Sequence, residues 1–207
     1  MRYYLATAIL LLAAACSLRS NAPASQTYIL RAHAPEKPAA ARPATASLQV
    51  SLPIPAPGLY SERIVLVQPD HRMSHFAASQ WAAELPHLVE ALAIERLRAT
   101  GDWTAVTDSE SAFASDYFLQ ISIRRFEAEY TSTAAPPTAQ VAFDCAIGRR
   151  ADRTLLASFT AQGAATASAN RVGAVVAAFD EAANTALNEL ATDSAAAVKN
   201  SQSPSSP

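Results

Sequence analysis

Three consecutive stretches between residues 117 and 163 alternate apolar and polar side chains, which is the pattern of β-strands with one buried face. They read YFLQISIRRFEAEYTS, AQVAFDCAIG and TLLASFTAQG. The charged sequence RRADR separates the second from the third and predicts a hairpin turn. Because such strands pair with their neighbours in sequence, this part of the chain predicts an antiparallel meander.

The first of these strands changes phase in its middle. Leu119, Ile121 and Ile123 are odd-numbered, whereas the apolar residues that follow, Phe126, Ala128 and Tyr130, are even-numbered. A slip of one residue turns every following side chain to the other face unless an extra residue is accommodated. We therefore predict a β-bulge or a sharp twist at Arg124 and Arg125.

Two long helices are predicted, one before the meander and one after it. The first lies within HFAASQWAAELPHLVEALAIERLRATG, residues 75–101, where Gly101 supplies a stop signal and Pro86 indicates a kink or a second start. The second covers residues 172–190 and has outward-facing acids and amides. The apolar residues at helical spacing are Leu85, Leu88, Val89 and Leu92 in the first, and Val172, Val175, Val176, Phe179, Ala183, Ala186, Leu187 and Leu190 in the second.

Four shorter stretches, TYIL, LQVSLPIP, ERIVLVQP and WTAVTD, predict further strands, and SESAFASDY predicts a helical turn. ERIVLVQP is continuously apolar, which is typical of a strand buried on both faces. Strands and long helices together predict an α/β fold. We expect a single three-layer domain, in which two long helices pack on a mixed, largely antiparallel sheet.

The chain begins with a short apolar run that ends at one of its two cysteines, Cys16. The run is about a dozen residues long, whereas a membrane-spanning helix needs roughly 20. One early positive charge, Arg2, and the small residues 13–15 are typical of a secretory signal peptide. The arrangement resembles the lipobox of bacterial lipoproteins, in which the cysteine is acylated and becomes the first mature residue. An ordinary signal peptide cut after Ala15, or an uncleaved apolar start, is the alternative.

The composition suggests four parts: a signal peptide over residues 1–15, a flexible tether over 16–26, one folded domain over 27–192 and a disordered tail over 193–207. The formal net charge is -2, with no basic stripe of the kind that binds phosphate backbones. We expect no nucleic-acid partner.

The sequence contains no recognised catalytic or nucleotide-binding motif. His71 and His75 have the spacing of two helical metal ligands, but a metal site also needs a third ligand, and Asp70 with either histidine forms only a nominal triad. Cys145 lies among apolar strand positions and is expected to be a core residue. We predict no enzyme activity, no catalytic residue, no cofactor and no metal.

Three residues are candidate contacts for a partner protein. Trp81 has the side-chain type that dominates recognition hot spots, although a ring that caps the sheet from a helix is the structural interpretation. Tyr60 and Arg63, in PGLYSERIV, lie on a loop that leads into a strand predicted to be buried.

Taken in order, these features are similar to the ABC-type transport auxiliary lipoproteins, which accompany MCE-domain (mammalian-cell-entry) intermembrane lipid transport systems. The resemblance covers roughly residues 27–192, and Cys16 precedes it. It is carried by the segments YIL, PGLYSERIVL, HRMSHFAASQWAAELPHLVEAL, YFLQISIRRFEAEY, LLASF and AFDEAANTALNELA.

The resemblance implies a non-catalytic domain held at a membrane by fatty acyl chains such as palmitate on Cys16. Its partners would be an MCE-domain protein and the ABC transporter subunits, with room for a homo-oligomer around a tunnel end. Ser17 is not the aspartate associated with inner-membrane retention, so we expect the periplasmic face of the outer membrane. The alternative functions are an envelope-assembly lipoprotein that binds lipid, lipopolysaccharide or a cell-wall enzyme, and a periplasmic enzyme with an unconventional site.

Overall fold

The computed structural model describes residues 25–33, 45–132 and 134–202. Cys16, the predicted signal peptide and most of the predicted tether lie outside these residues. The described residues form nine strands and two helices: β1 Gln26–Tyr28, β2 Ser47–Val50, β3 Ile54–Pro55, β4 Arg63–Val67, β5 Met73–Trp81, α1 Leu85–Thr100, β6 Ala105–Thr107, β7 Tyr117–Glu129, β8 Thr138–Arg149, β9 Leu155–Thr166 and α2 Val172–Gln202.

The antiparallel meander is confirmed, because β8 pairs antiparallel with β7 on one side and with β9 on the other. The bulge is also confirmed: the register between β7 and β8 shifts between Ile123 and Arg125. Because of this bulge, Ile123 and Phe126 are both buried on the same side of the sheet, although one has an odd number and the other an even number.

Three strands pair in parallel with the other edge of β7, one after another along its length. β2 pairs with the start of β7, β3 with its middle and β4 with its end. β6 extends the sheet beyond β2, whereas β5 and then β1 extend it beyond β4. The sheet therefore has two ends, which we call the Tyr117 pole and the Glu129 pole after the first and last residues of β7.

Both helices lie on one face of the sheet, since α1 contacts α2 while each of them contacts strands. The opposite face, here called the open face, is polar along β7, β8 and β9: Arg124 pairs with Asp144 at 2.7 Å, and Thr160 donates to Asp144 at 3.0 Å. The mixed α/β fold with two long helices is confirmed. Of the three layers predicted, the described residues supply the sheet and one helical layer.

The first helix is shorter than predicted, because residues 73–81 form strand β5. This stretch is held by pairing with β4 and β1, which are distant in sequence, and such pairing overrides local helix propensity. Pro86 marks the helix start and not a kink, since the first turn has no intrahelical bond for proline to remove. Gly101 ends α1 in the left-handed conformation, as predicted (φ 71°).

Two further predictions were wrong in part. Residues 109–116 form turns and loops instead of a helical turn, because the side chains of Asp108 and Ser111 accept hydrogen bonds from nearby backbone N–H groups. The tail predicted to be disordered from residue 193 is helical as far as Gln202, since Ser194 and Val198 are buried against the fold. Residues 203–207 lie outside the described part. Within that part, neither helix has the length and hydropathy needed to cross a membrane.

Candidate docking surface

The loop between β3 and β4 carries two of the predicted contact residues. Tyr60 is 61% exposed, and Arg63 is exposed at the first position of β4. The loop is fixed at its start, where the Ala56 N–H donates to the Ile123 carbonyl of β7 at 2.8 Å, and it is held down by the buried side chain of Leu59. The fold therefore presents the Tyr60 ring to solvent on an ordered loop.

Two more exposed apolar side chains lie on the open face beside this loop. Ile54, 69% exposed, pairs with Ser122, which lies between two residues that face the helices. Met73, 48% exposed, pairs with Val67, and its sulfur lies against Gly58 of the loop. We call this surface the Tyr60 patch; its members are Ile54, Tyr60, Arg63 and Met73.

The charge of the Tyr60 patch comes from arginine and not from the nearby histidine. Burial, together with the positive charge of Arg63, lowers the pKa of His75 below its ordinary value. His75 is therefore predominantly neutral at pH 7. An exposed tyrosine, an arginine and two aliphatic side chains match the residue types that dominate protein recognition surfaces.

The third predicted contact residue, Trp81, is not at the surface. Its side chain is 1% exposed and packs edge-on against Phe126 at 6.0 Å and Phe179 at 5.3 Å between ring centroids. It lies in β5 instead of capping the sheet from a helix. Trp81 is a core residue, and the prediction that it contacts a partner was wrong.

The histidines in HRMSH do not share a helical face, since they lie in and beside the β4–β5 hairpin. Asp70 pairs with Arg72 at 2.6 Å instead of orienting a histidine. Across the described ranges, no three His, Cys, Asp or Glu side chains converge on a position where a metal could bind. The structure thus leaves Tyr60 and Arg63 both exposed, three residues apart in the chain, and does not assemble the nominal triad.

Cys145 lies in β8 and is 3% exposed. Burial, reinforced by the negative charges of Asp144, Asp193 and Glu189, raises its pKa to about 12. Only the thiolate is a good nucleophile, so this buried side chain is unreactive at neutral pH.

We expect Cys145 in the folded Cys16→Ala chain, where it is the sole thiol, to react with a maleimide about a thousandfold more slowly than an ordinary exposed cysteine, because so little thiolate forms. The measurement is a labelling time course followed by mass spectrometry. The control is the same chain with Thr160→Cys, whose new thiol lies on the open face and should label first. Equal labelling of both positions in the folded chain would show that Cys145 is accessible.

A groove of about 440 Å³ at the Tyr117 pole was not found by sequence reasoning. It is formed where four parts of the chain meet: the approach to β2, the start of β7, the β8–β9 turn and the end of α2. The only sequence signal was the charged RRADR turn, which was interpreted as a hairpin alone. Its polar lining includes Ser115, Asp116, Tyr117, Arg149, Arg150 and Gln202.

The chain matches a family model described as the ABC-type transport auxiliary lipoprotein component over residues 28–191. Protein XCC0632 from Xanthomonas campestris has a similar structure, with 24% sequence identity and a TM-score of 0.73 over 86% of this chain and 100% of that chain. An uncharacterized protein of known structure is 13% identical, with a TM-score of 0.63 over 82% of this chain and 98% of that one. At these identities the two structures show the fold alone. No curated protein matches the chain.

Proposed function

Because this chain belongs to the family of ABC-type transport auxiliary lipoprotein components, we propose that it is the lipid-anchored, periplasm-facing auxiliary component of an MCE-type intermembrane lipid transport system. It acts by docking to other subunits and not by catalysis. The observation that carries this proposal is the family match, which covers residues 28–191.

The anchor is Cys16, nine residues before the first described residue, Ser25. A span of nine residues reaches at most about 30 Å when fully extended. Two or three acyl chains hold a protein at a bilayer stably, whereas one gives only marginal binding. With Ser17 after the cysteine, the domain would lie against the periplasmic face of the outer membrane, within about 30 Å of it.

The Tyr60 patch is the proposed contact with the MCE-domain protein. Tyr60 and Arg63 belong to the side-chain types that contribute most to binding energy, and Ile54 and Met73 supply apolar area around them. Several anchored copies around one tunnel end would raise the avidity of a weak individual contact. A homo-oligomer of this kind accords with a domain that has no enzyme motif and works by its surface.

We expect a crosslinked pulldown from membranes of the native host to recover an MCE-domain protein with the wild-type chain and much less of it with Cys16→Ala. The anchor raises the local concentration of the domain at the membrane, so its loss removes avidity without changing the folded surface. Immunoblotting should show that both forms are present in equal amounts. Equal recovery by the two forms would mean that docking does not depend on the anchor.

A further inference from the structure

The topology orients the domain relative to its anchor. β1 is parallel to β5, β5 is antiparallel to β4, and β4 is parallel to β7. The chain that precedes β1 therefore leaves towards the Glu129 pole. One row of paired residues crosses the sheet through Arg63 of β4, Gln80 of β5 and Thr27 of β1. Arg63 precedes Leu66 by three residues, and Leu66 pairs with Ala128 of β7. The position of β7 that lies level with this row is eight residues after Tyr117, which corresponds to about 27 Å along the strand.

The groove at the Tyr117 pole is thus at the end of the sheet away from the anchor. On the proposed function, a partner subunit in the periplasm can reach the groove at this pole.

Arg150 is fixed in this groove by neutral groups. Its Nε donates to Ser115 Oγ at 3.3 Å, and its Nη2 donates to Gln49 Oε1. Its backbone N–H donates to the Asp116 carbonyl at 2.9 Å, and the guanidinium lies 5.9 Å from the centre of the Phe118 ring. Because three of these contacts hold the guanidinium and the fourth holds its backbone, an incoming anion would find the guanidinium already positioned.

Among the described residues, no carboxylate forms an ion pair with the Arg150 guanidinium. Asp116 accepts from the Ser47 backbone N–H at 2.8 Å and from the Ser47 hydroxyl at 2.7 Å, and these bonds lower its pKa. Asp152 pairs with Arg149 at 3.1 Å. The positive charge of Arg149 is therefore balanced within the turn, whereas that of Arg150 has no carboxylate partner within the described ranges.

We propose that the groove at the Tyr117 pole binds a carboxylate-bearing segment of a partner subunit, with Arg150 as the residue that holds the acid. An exposed guanidinium pairs well with a carboxylate because its N–H groups match the two oxygens. The Tyr117 hydroxyl and the Gln202 amide, 3.3 Å apart, supply further polar groups at the rim. The existence of the partner rests on the proposed function, whereas the groove and its charge do not.

The binding test uses the lipidated full chain in detergent, with hexaglutamate peptide as the probe and hexaglutamine as the uncharged control. We expect hexaglutamate to shift the amide NMR signals of residues 115–118 and 149–151, and Arg150→Gln to weaken its binding at least about tenfold, as removal of a charge-assisted hydrogen bond does. Arg150→Lys should restore part of the affinity. The matched control is Arg72→Gln, an exposed arginine at the other pole, which should leave binding unchanged.

Several results would overturn the proposal. Equal affinity in Arg150→Gln, with thermal unfolding like the wild type, would show that Arg150 does not hold the acid. Equal shifts with hexaglutamine would mean that charge plays no part. Shifts at the groove with phosphatidylglycerol added to the detergent micelles but not with hexaglutamate would indicate a lipid headgroup.

The partner is tested by a photo-crosslinker placed at Ala151, in the groove, and at Gln162, exposed on β9, in cells of the native host. We expect an adduct at Ala151 with a transport subunit, at a peptide that contains Asp or Glu, and none at Gln162. If the membrane pulldown recovers the transport subunits but Ala151 does not crosslink to them, the proposed function stands and the groove proposal fails.

Discussion

Phe179→Ala is expected to lower the free energy of unfolding by about 3–5 kcal/mol, the usual cost of removing a fully buried aromatic ring. The ring of Phe179 is 0% exposed, stacks on Phe126 at 5.2 Å and meets the edge of Trp81 at 5.3 Å. These three rings join α2 to β5 and β7, so the cavity would open between the helical layer and the sheet. Domains of this size are stable by only about 5–15 kcal/mol, so much of the total would be lost.

Urea denaturation followed by circular dichroism measures this loss. Tyr60→Ala is the matched control, since it also removes an aromatic ring but from a side chain that is 61% exposed, and it should change stability by less than about 0.5 kcal/mol. A similar effect of the two substitutions would contradict the position of Phe179 in the core.

The second large effect is expected at Gly163 of β9, where helix α2 passes directly over the strand. A Cβ at this position would lie 2.1 Å from the backbone carbonyl oxygen of Ala182 and 2.9 Å from Thr185 Cβ. Backbone atoms of a packed helix cannot rotate away, so Gly163→Ala must displace α2. We expect a loss of about 3 kcal/mol, the upper part of the range for overpacking.

Gly173→Ala is the control for Gly163→Ala, because it makes the same chemical change inside α2 where space is available. The nearest atom to its new Cβ is Nη1 of Arg171 at 3.9 Å, and alanine is favoured over glycine in a helix by about 1 kcal/mol. Thermal unfolding should rank the chains with Gly173→Ala at or above wild type and Gly163→Ala well below it. An unchanged melting temperature in Gly163→Ala would show that α2 does not lie this close to β9.

The sequence predicted those parts of the fold whose pattern is local. The meander and its bulge follow from the alternation of side chains and from one change of parity near Arg124. The stop at Gly101 follows from the special backbone conformation of glycine. Strand β5 could not be predicted in this way, because the pairing that holds it involves β1 and β4, which are remote in sequence.

The candidate surfaces, too, could be predicted only where their residues are close together in the sequence. Tyr60 and Arg63 could be selected because they lie on one short loop, but Ile54 and Met73 join them only through the sheet. The side-chain type of Trp81 pointed to recognition, whereas the rings that bury it come from β7 and α2. The groove at the Tyr117 pole is assembled from four separate segments, and no single one of them carries a binding pattern.

The central claim, that this domain docks to an MCE-type lipid transport system, is tested most directly by the identity of its neighbours in the envelope. The measurement is mass spectrometry of proteins crosslinked to the wild-type chain in membranes of the native host. We expect an MCE-domain protein among the strongest adducts, together with subunits of its ABC transporter. Recovery of porins, lipopolysaccharide factors or cell-wall enzymes without any transport subunit would contradict the claim and favour a role in envelope assembly.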